Sequence, residues 1–557
     1  MAEGAPRASR WAVIRHALSN ANIAKAEASV AIGTAAHVAW SATMLVITFK
    51  RLGPIGPGLY ILVTQLALAM GAPVYATLAG RFRRERVLAG AMIANGVGVA
   101  VAIPVLELHA TSALLFFPIA VEGFTRSAPS ALHDALLPWL ANSPAQLVAA
   151  NALFAILETI AVLVGAGVAA VGLWLSGPSA VVTSVAILVA LGAGPLFAIR
   201  GIDTRVAAHD GSRILNELAG GIGVLRRLPN ARAVVIIMAV AASLGGFEQS
   251  NATSIATEIV HIGANGTPVL VGAVAVGGII GGIASLSLDG RRSMSVPLAI
   301  GLLGCALALC ALTVTSVKAA ALALVSVAGI GVAYQAVCGR TLLQRSASGR
   351  SLDLLVGINA LIFVSIFGVS ALCAAALNAA IGVRGSLRVA AGLAVVGALY
   401  ALWRLTRIER LSPIDREELD AVRNVQAFGP LSVAAANQLA SALVSSQAAG
   451  GDVIFRQGDS AEDMFLIRSG VFEAAVDGKL IRTMHPGGHF GEIALLFEVR
   501  RTATVRCLEA GTLWRLNRED FLRAMTGNTT TKEAMKAIAN QRLAYAGEVD
   551  YSKRDES

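Results

Sequence analysis

The stretch ASVAIGTAAHVAWSATMLVITF, residues 28–49, contains no Asp, Glu, Lys or Arg and is bounded by Glu27 and Lys50. A helix needs about 20 apolar residues to cross the hydrocarbon core of a bilayer, and this run supplies them. Runs of the same kind recur at Gly58–Leu78, Val87–Leu106, Ser112–Leu137, Val148–Leu175, Ala180–Ile199, Ala233–Ala256, Pro268–Leu286, Val296–Val314, Ala319–Val337, Leu355–Ala380 and Val389–Leu405. The expectation is an all-α polytopic membrane bundle of about twelve transmembrane helices.

Composition agrees. Of 557 residues, 55% are hydrophobic and only 14% are charged, where a soluble domain carries roughly a quarter charged residues. The abundant Gly and Ala suit helices that approach closely in lipid. The cysteines (Cys305, Cys310, Cys338, Cys373, Cys507) have no metal-ligand spacing. They read as small core hydrophobes, with neither a disulfide nor a metal site implied.

The net charge of +10 does not point to nucleic acid, because Lys and Arg stand in short clusters between apolar runs, as topology signals do. Arg81, Arg83, Arg84 and Arg86 follow the second run. Arg205, Arg213, Arg226 and Arg227 lie in the link between the sixth and seventh. Arg291 and Arg292 follow the eighth, Arg340, Arg345 and Arg350 the tenth, and Arg404, Arg407 and Arg410 the twelfth. All fall on one side if the N-terminus is cytoplasmic; Lys50, Arg51, Arg384 and Arg388 fall on the other. Residues 1–27 are read as a cytoplasmic N-terminal segment, of which Met1–Asn20 is polar and basic and lacks the apolar core of a signal peptide. The expectation is a multi-pass protein of the cell (inner or plasma) membrane with both termini cytoplasmic.

The longer polar link Gly201–Asn230 divides the spans into two six-helix halves. Within it RILNELAGGIGVLRRL, residues 213–228, has an amphipathic helical period. Arg-bearing turns follow the second span of each half, the weak internal symmetry of a two-bundle secondary transporter. Residues 28–406 are therefore read as the membrane domain, and 407–424, with Ser412 as N-cap and Pro413 at the first helical position, as a linker helix.

A short helix is read at Leu431–Leu443, and from Gly451 onward the period changes to two. DVIFRQG, DMFLIRSG, VFEAAVDG and KLIRTMHPGG are short β runs separated by glycine turns, and Asp477–Gly478 is a hairpin signal. NREDFLRAM and TTKEAMKAIANQRLAYA close the unit as helices. Residues 425–546 thus form a C-terminal β-roll with flanking helices, and 547–557 a solvated tail.

One stretch of this unit carries chemistry: FGEIALLFEVRRTATV, residues 490–505. Gly491 permits close backbone approach, Glu492 supplies a carboxylate, a one-turn helix offers amide donors, and an arginine pair precedes the next strand. Amides at a helix start plus one Arg can hold a phosphate, and a nearby carboxylate can accept a sugar hydroxyl.

This stretch resembles the phosphate-binding cassette of the cyclic-nucleotide-binding domain. The family's β-roll glycines correspond to Gly451, Gly458, Gly470 and Gly488, and its lid helix to Thr531–Ala546. The resemblance implies that Glu492 accepts the ribose 2′-hydroxyl, that Arg501 pairs with the cyclic phosphate, and that the amides of Ile493 and Ala494 cap the same phosphate. Gly491 and Thr502 complete the implied site. Many members have proline where this chain has Arg500, which sets a second cation near the site. The base, adenine or guanine, stays open, so the implied ligand is cAMP or cGMP, with no cofactor.

The membrane half resembles the major facilitator superfamily, in its exporter-like branch. LAGRFRRERVL (78–88), LLPWLANSPAQLVAANAL (136–153) and GRTLLQRSASGR (339–350) carry the likeness. The family's loop acid is Gly80 here, which removes its usual gating charge.

Ionisable groups at membrane depth are functional candidates. Glu122 and Arg126, at i and i+4, can pair; Glu158 and Glu248 lie mid-span, and His37 lies within the first span. Asp134 and His133 approach the cytoplasmic end and are expected to be solvated. With no ATP-binding motif and no catalytic constellation, the expected function is secondary transport, probing toward small-molecule export, regulated by cyclic nucleotide. The alternatives are a membrane-anchored cyclic-nucleotide receptor without transport, or a lipid flippase. The expected partners are the bilayer, cyclic nucleotide and a small-molecule substrate, with no nucleic acid.

Overall fold

A computed structural model describes residues 18–108, 110–140, 144–199, 212–285, 288, 293–315, 317–346, 349–406, 416–425, 428, 436, 439–440, 442–497 and 499–526. The lid helix expected at Thr531–Ala546, the N-terminal segment through residue 17, the tail and the first part of the linker lie outside them. The chain divides into two compact units, Met1–Glu409 and Arg410–Ser557.

In the first unit the apolar runs become long helices: α1 (Ala21–Leu52), α2 (Ile55–Arg81), α3 (Arg84–Glu107), α4 (Phe116–Leu140), α5 (Pro144–Leu175) and α6 (Pro178–Phe197). The link contains α7 (Ser212–Arg227). The second half holds α8 (Pro229–Ser254), α9 (Thr267–Ser285), α10 (Ser295–Leu312), α11 (Lys318–Arg345) and α12 (Gly349–Tyr400). Ten helices are long and apolar enough to cross a membrane by length and composition. The 52-residue α12 is broken at Gly382, whose φ of 75° no helix tolerates. Its two parts bring these candidates to eleven among the described residues, and α4, which carries Glu122 and Arg126, is a further long helix. The protein is a multi-pass membrane bundle with a β domain after it.

Each half is built around its own apolar core. One is drawn mainly from residues between Ile23 and Ile199, the other from residues between Ala231 and Leu405. The halves meet where α2 packs on the first part of α12 and α5 packs on α9. Small residues make these approaches possible. A Cβ at Gly58 would lie 2.5 Å from Cβ of Ala375, and one at Gly368 would lie 3.2 Å from Cβ of Gln65. Small side chains let helix axes close up where lipid supplies no hydrophobic drive. Cys305 and Cys338 are buried as expected, but Cys310 and Cys373 are exposed on their helices.

Among the described residues the second unit has α13 (Arg416–Asn424) and eight strands: β1 (Val444–Ala448), β2 (Val453–Phe455), β3 (Asp463–Ile467), β4 (Val471–Val476), β5 (Lys479–Met484), β6 (His489–Phe490), β7 (Thr504–Glu509) and β8 (Gly511–Asn517). They form two four-stranded sheets, β1-β8-β3-β6 and β2-β7-β4-β5. The short α14 (Glu492–Leu496) sits between β6 and β7, and α15 (Arg518–Thr526) follows β8. The hairpin read at Asp477–Gly478 is present: both residues have positive φ (48° and 78°) and Val476 faces Lys479, the geometry of a tight β-turn that matches strand twist. In HPGG it is Gly487, at φ 84°, that takes the left-handed conformation, whereas Gly488 does not. β1 went unread because Val444–Gln447 are exposed on both faces of the strand, which leaves no apolar alternation to detect.

Candidate functional site

At the head of α14, Gly491 has φ 88° and ψ −3°, a conformation that costs any L side chain about 1–2 kcal/mol. A Cβ there would also stand 2.7 Å from Nη1 of Arg501. The arginine lies directly against this glycine: Nη1 donates to the Gly491 carbonyl at 3.0 Å and Nη2 donates to the Asp463 carbonyl at 2.7 Å. The backbone of Arg501 is fixed on both sides, since its N–H donates to Asp459 O at 2.9 Å and its carbonyl accepts from Gly458 N at 2.8 Å. Gly458, at φ 89°, makes the turn from β2 that brings these groups round.

Glu492 and Arg501 are both buried, at 1% and 5% exposure. Burial pushes the Arg501 guanidinium below its ordinary pKa, against the opposing pull of Asp463, Glu492 and Asp459. The first amides of α14 lack intrahelical acceptors, as at any helix start, and they follow directly on Gly491. The fold therefore sets a buried carboxylate, a buried cation and a run of amides within a few residues. Arg500 does not add a second cation to this cluster. Its Nη1 donates to the Gly458 carbonyl at 2.9 Å on the exposed rim, so its length serves the turn. Thr502 lies in the bend before β7.

A family model described as "Cyclic nucleotide-binding domain" matches residues 446–528. The C-terminal unit is a cyclic nucleotide-binding domain. An uncharacterized protein of Mycobacterium tuberculosis is 44% identical over 101 residues, 18% of this chain and 20% of its own length. The cAMP-dependent protein kinase type II regulatory subunit of Drosophila melanogaster is 35% identical over 117 residues, 21% of this chain and 31% of its own. The chain spans less than a third of either relative, so these likenesses concern this domain alone.

The membrane unit shares its fold with a solved bacterial transporter. A bacterial homologue of the human lysosomal transporter Spinster, in an inward-facing and unoccupied conformation, matches 74% of this chain and 100% of its own, with a TM-score of 0.55 and 14% identity.

Within that fold the buried charges pair differently from the sequence expectation. Glu122 does not pair with Arg126 among the described residues; its Oε1 lies 2.7 Å from Nδ1 of His37 on α1. A neighbouring helix supplies a closer partner than the i+4 position does, which helical spacing cannot foresee. The second oxygen of Glu122 is buried without a hydrogen-bond partner. Glu248 likewise keeps Oε1 buried without one, and beside it Gln249 donates to Ser41 at 3.3 Å, from α8 to α1. Glu158 is exposed on α5. His133 is not solvated: it is buried, with Nε2 3.3 Å from Glu27 Oε1 and its ring 4.5 Å from that of Phe154. The side chain of Asp134 lies outside the described residues. At the head of α3, Glu85 is buried and 2.5 Å from Nε of Arg83.

Proposed function

We propose that the chain is a secondary transporter, an exporter of small molecules, whose access equilibrium is biased by cAMP or cGMP held in its C-terminal domain. The observation that carries the regulatory reading is the contact of buried Arg501 with Gly491 at the head of α14. A cyclic phosphate at that point meets a cation and the amides of Ile493 and Ala494, while Glu492 accepts the ribose 2′-hydroxyl. The kinship with a cAMP-dependent kinase regulatory subunit supports this ligand class. The domain continues the membrane chain through residues 407–424, which lie on the cytoplasmic face in this reading, so ligand there acts from inside the cell.

For transport, the supporting features are the fold itself and the polar groups at its centre: the His37–Glu122 pair, Arg126, Glu248 and the Gln249–Ser41 bond between the halves. Glu122 and Glu248 are the carboxylates placed to carry a coupling proton, and Glu158 is the third candidate. The Glu85–Arg83 ion pair supplies a carboxylate to the turn that lacks one at Gly80, which favours a working transporter over an inert receptor. Ligand can shift the access equilibrium only by binding one state better than the other. The test is uptake of a dye and drug panel into inside-out vesicles, the direction export takes there, with and without cAMP or cGMP on the outward-turned cytoplasmic face. Transport that responds to nucleotide in the parent protein and not in Glu492→Ala/Arg501→Ala supports the reading; the same transport in both overturns the regulation. Nucleotide binding with no transport of any panel member favours the receptor.

A further inference from the structure

The guanidinium of Arg501 stands over the ring of Phe455, with Cζ 4.0 Å from the centroid. Its edge is held by the two carbonyls of Gly491 and Asp463, and its Nε is buried with no hydrogen-bond partner. The Phe455 ring is itself confined. It packs at 6.0 Å from Phe465 and 5.9 Å from Phe490, centroid to centroid, so its face is presented in one direction by an aromatic cluster at the end of the sheets.

A cation this poorly hydrated gains from a π face, and the gain rises as water is excluded. An arginine left to wander would have to surrender its rotamer freedom when a ligand arrived. We propose that Phe455 is a positioning residue for the nucleotide site: its ring holds the guanidinium plane against Gly491, beside the start of α14, before any ligand is bound. An aliphatic side chain of similar volume fills the same space without a quadrupole to face the cation. The inference rests on Arg501 being the phosphate ligand.

The test measures binding of tritiated cAMP and cGMP to the full-length protein in detergent, together with its melting temperature. Phe455→Leu is expected to weaken binding roughly tenfold, while Phe455→Tyr, which keeps the ring, stays near the parent value. In an Arg501→Gln background Phe455→Leu is expected to add nothing, because the charge it serves is gone. If Phe455→Leu lowers the melting temperature, Phe455→Met takes its place in the cycle. Parent-like binding by both aliphatic variants, or an equal loss in the Arg501→Gln background, overturns the positioning role. Parent-like binding by Arg501→Gln alone overturns instead the phosphate reading on which it rests.

Discussion

Lys50 and Asn265 meet between the two halves of the membrane unit, Nζ donating to Oδ1 at 2.7 Å. Lys50 ends α1, while Asn265 lies in the short connection between α8 and α9. The same asparagine donates through Nδ2 to Leu173 O at 3.0 Å, and its own carbonyl accepts from Trp174 Nε1 at 3.1 Å. One residue of the second half is thus bound to α1 and to α5 of the first, at the end of the bundle where α1 and α5 terminate. Asn265→Ala removes the two side-chain bonds, each worth about 0.5–1.5 kcal/mol. It should shift the population toward states open at this end by roughly tenfold. Spin-label distances between α1 and the α8–α9 connection check this; an unchanged distance distribution counts against the bonds as a closure.

Arg501→Ala is expected to weaken nucleotide binding tenfold or more, since a hydrogen bond to a charged group contributes about 1.5–3 kcal/mol. Glu492→Ala should do the same through the ribose. Titration calorimetry with cAMP and cGMP on the purified protein measures both effects, and the ratio of the two parent affinities settles the preferred base.

Gly491→Ala should cost the C-terminal unit roughly 1–3 kcal/mol, because φ 88° is strained for alanine and its Cβ meets the Arg501 guanidinium. Thermal unfolding of the unit reports the first effect. Loss of nucleotide affinity reports the second, and should exceed that of Gly478→Ala, whose Cβ meets nothing within 4 Å.

His37→Gln and Glu122→Gln should each abolish gradient-driven efflux while leaving nucleotide affinity unchanged. The pair lies wholly within the membrane unit, and one carboxylate oxygen is buried without a hydrogen-bond partner. Vesicle transport under an imposed pH gradient, alongside calorimetry, separates the two activities. Retained efflux in Glu122→Gln moves the coupling role to Glu248.

How much was legible in advance varied with the range of the interaction. Apolar runs without charge must become spans, because a backbone in lipid has to satisfy its own hydrogen bonds, and helices do so within one segment. So the spans, the two halves and the broken α12 follow from local composition, with Gly382 marking where the last two runs part. The roll was equally readable wherever a turn has its own chemistry, as at Asp477–Gly478; the stretch from Gly491 to Arg501 drew notice because its residues are neighbours in the chain. Partners across helices were not. The sequence offered Arg126 to Glu122, and packing chose His37. It gave Glu27 and Glu85 no partner and left His133 solvated, yet each is buried beside an opposite or titratable group. Phe455 and Asn265 are ordinary residues in sequence, and acquire their places only when β2 folds back under Arg501 and when the two halves close at one end. Period and turn chemistry are properties of a few consecutive residues. Which cation faces which ring, and which amide bridges two bundles, depends on how distant segments pack, and that was decided by tertiary structure alone.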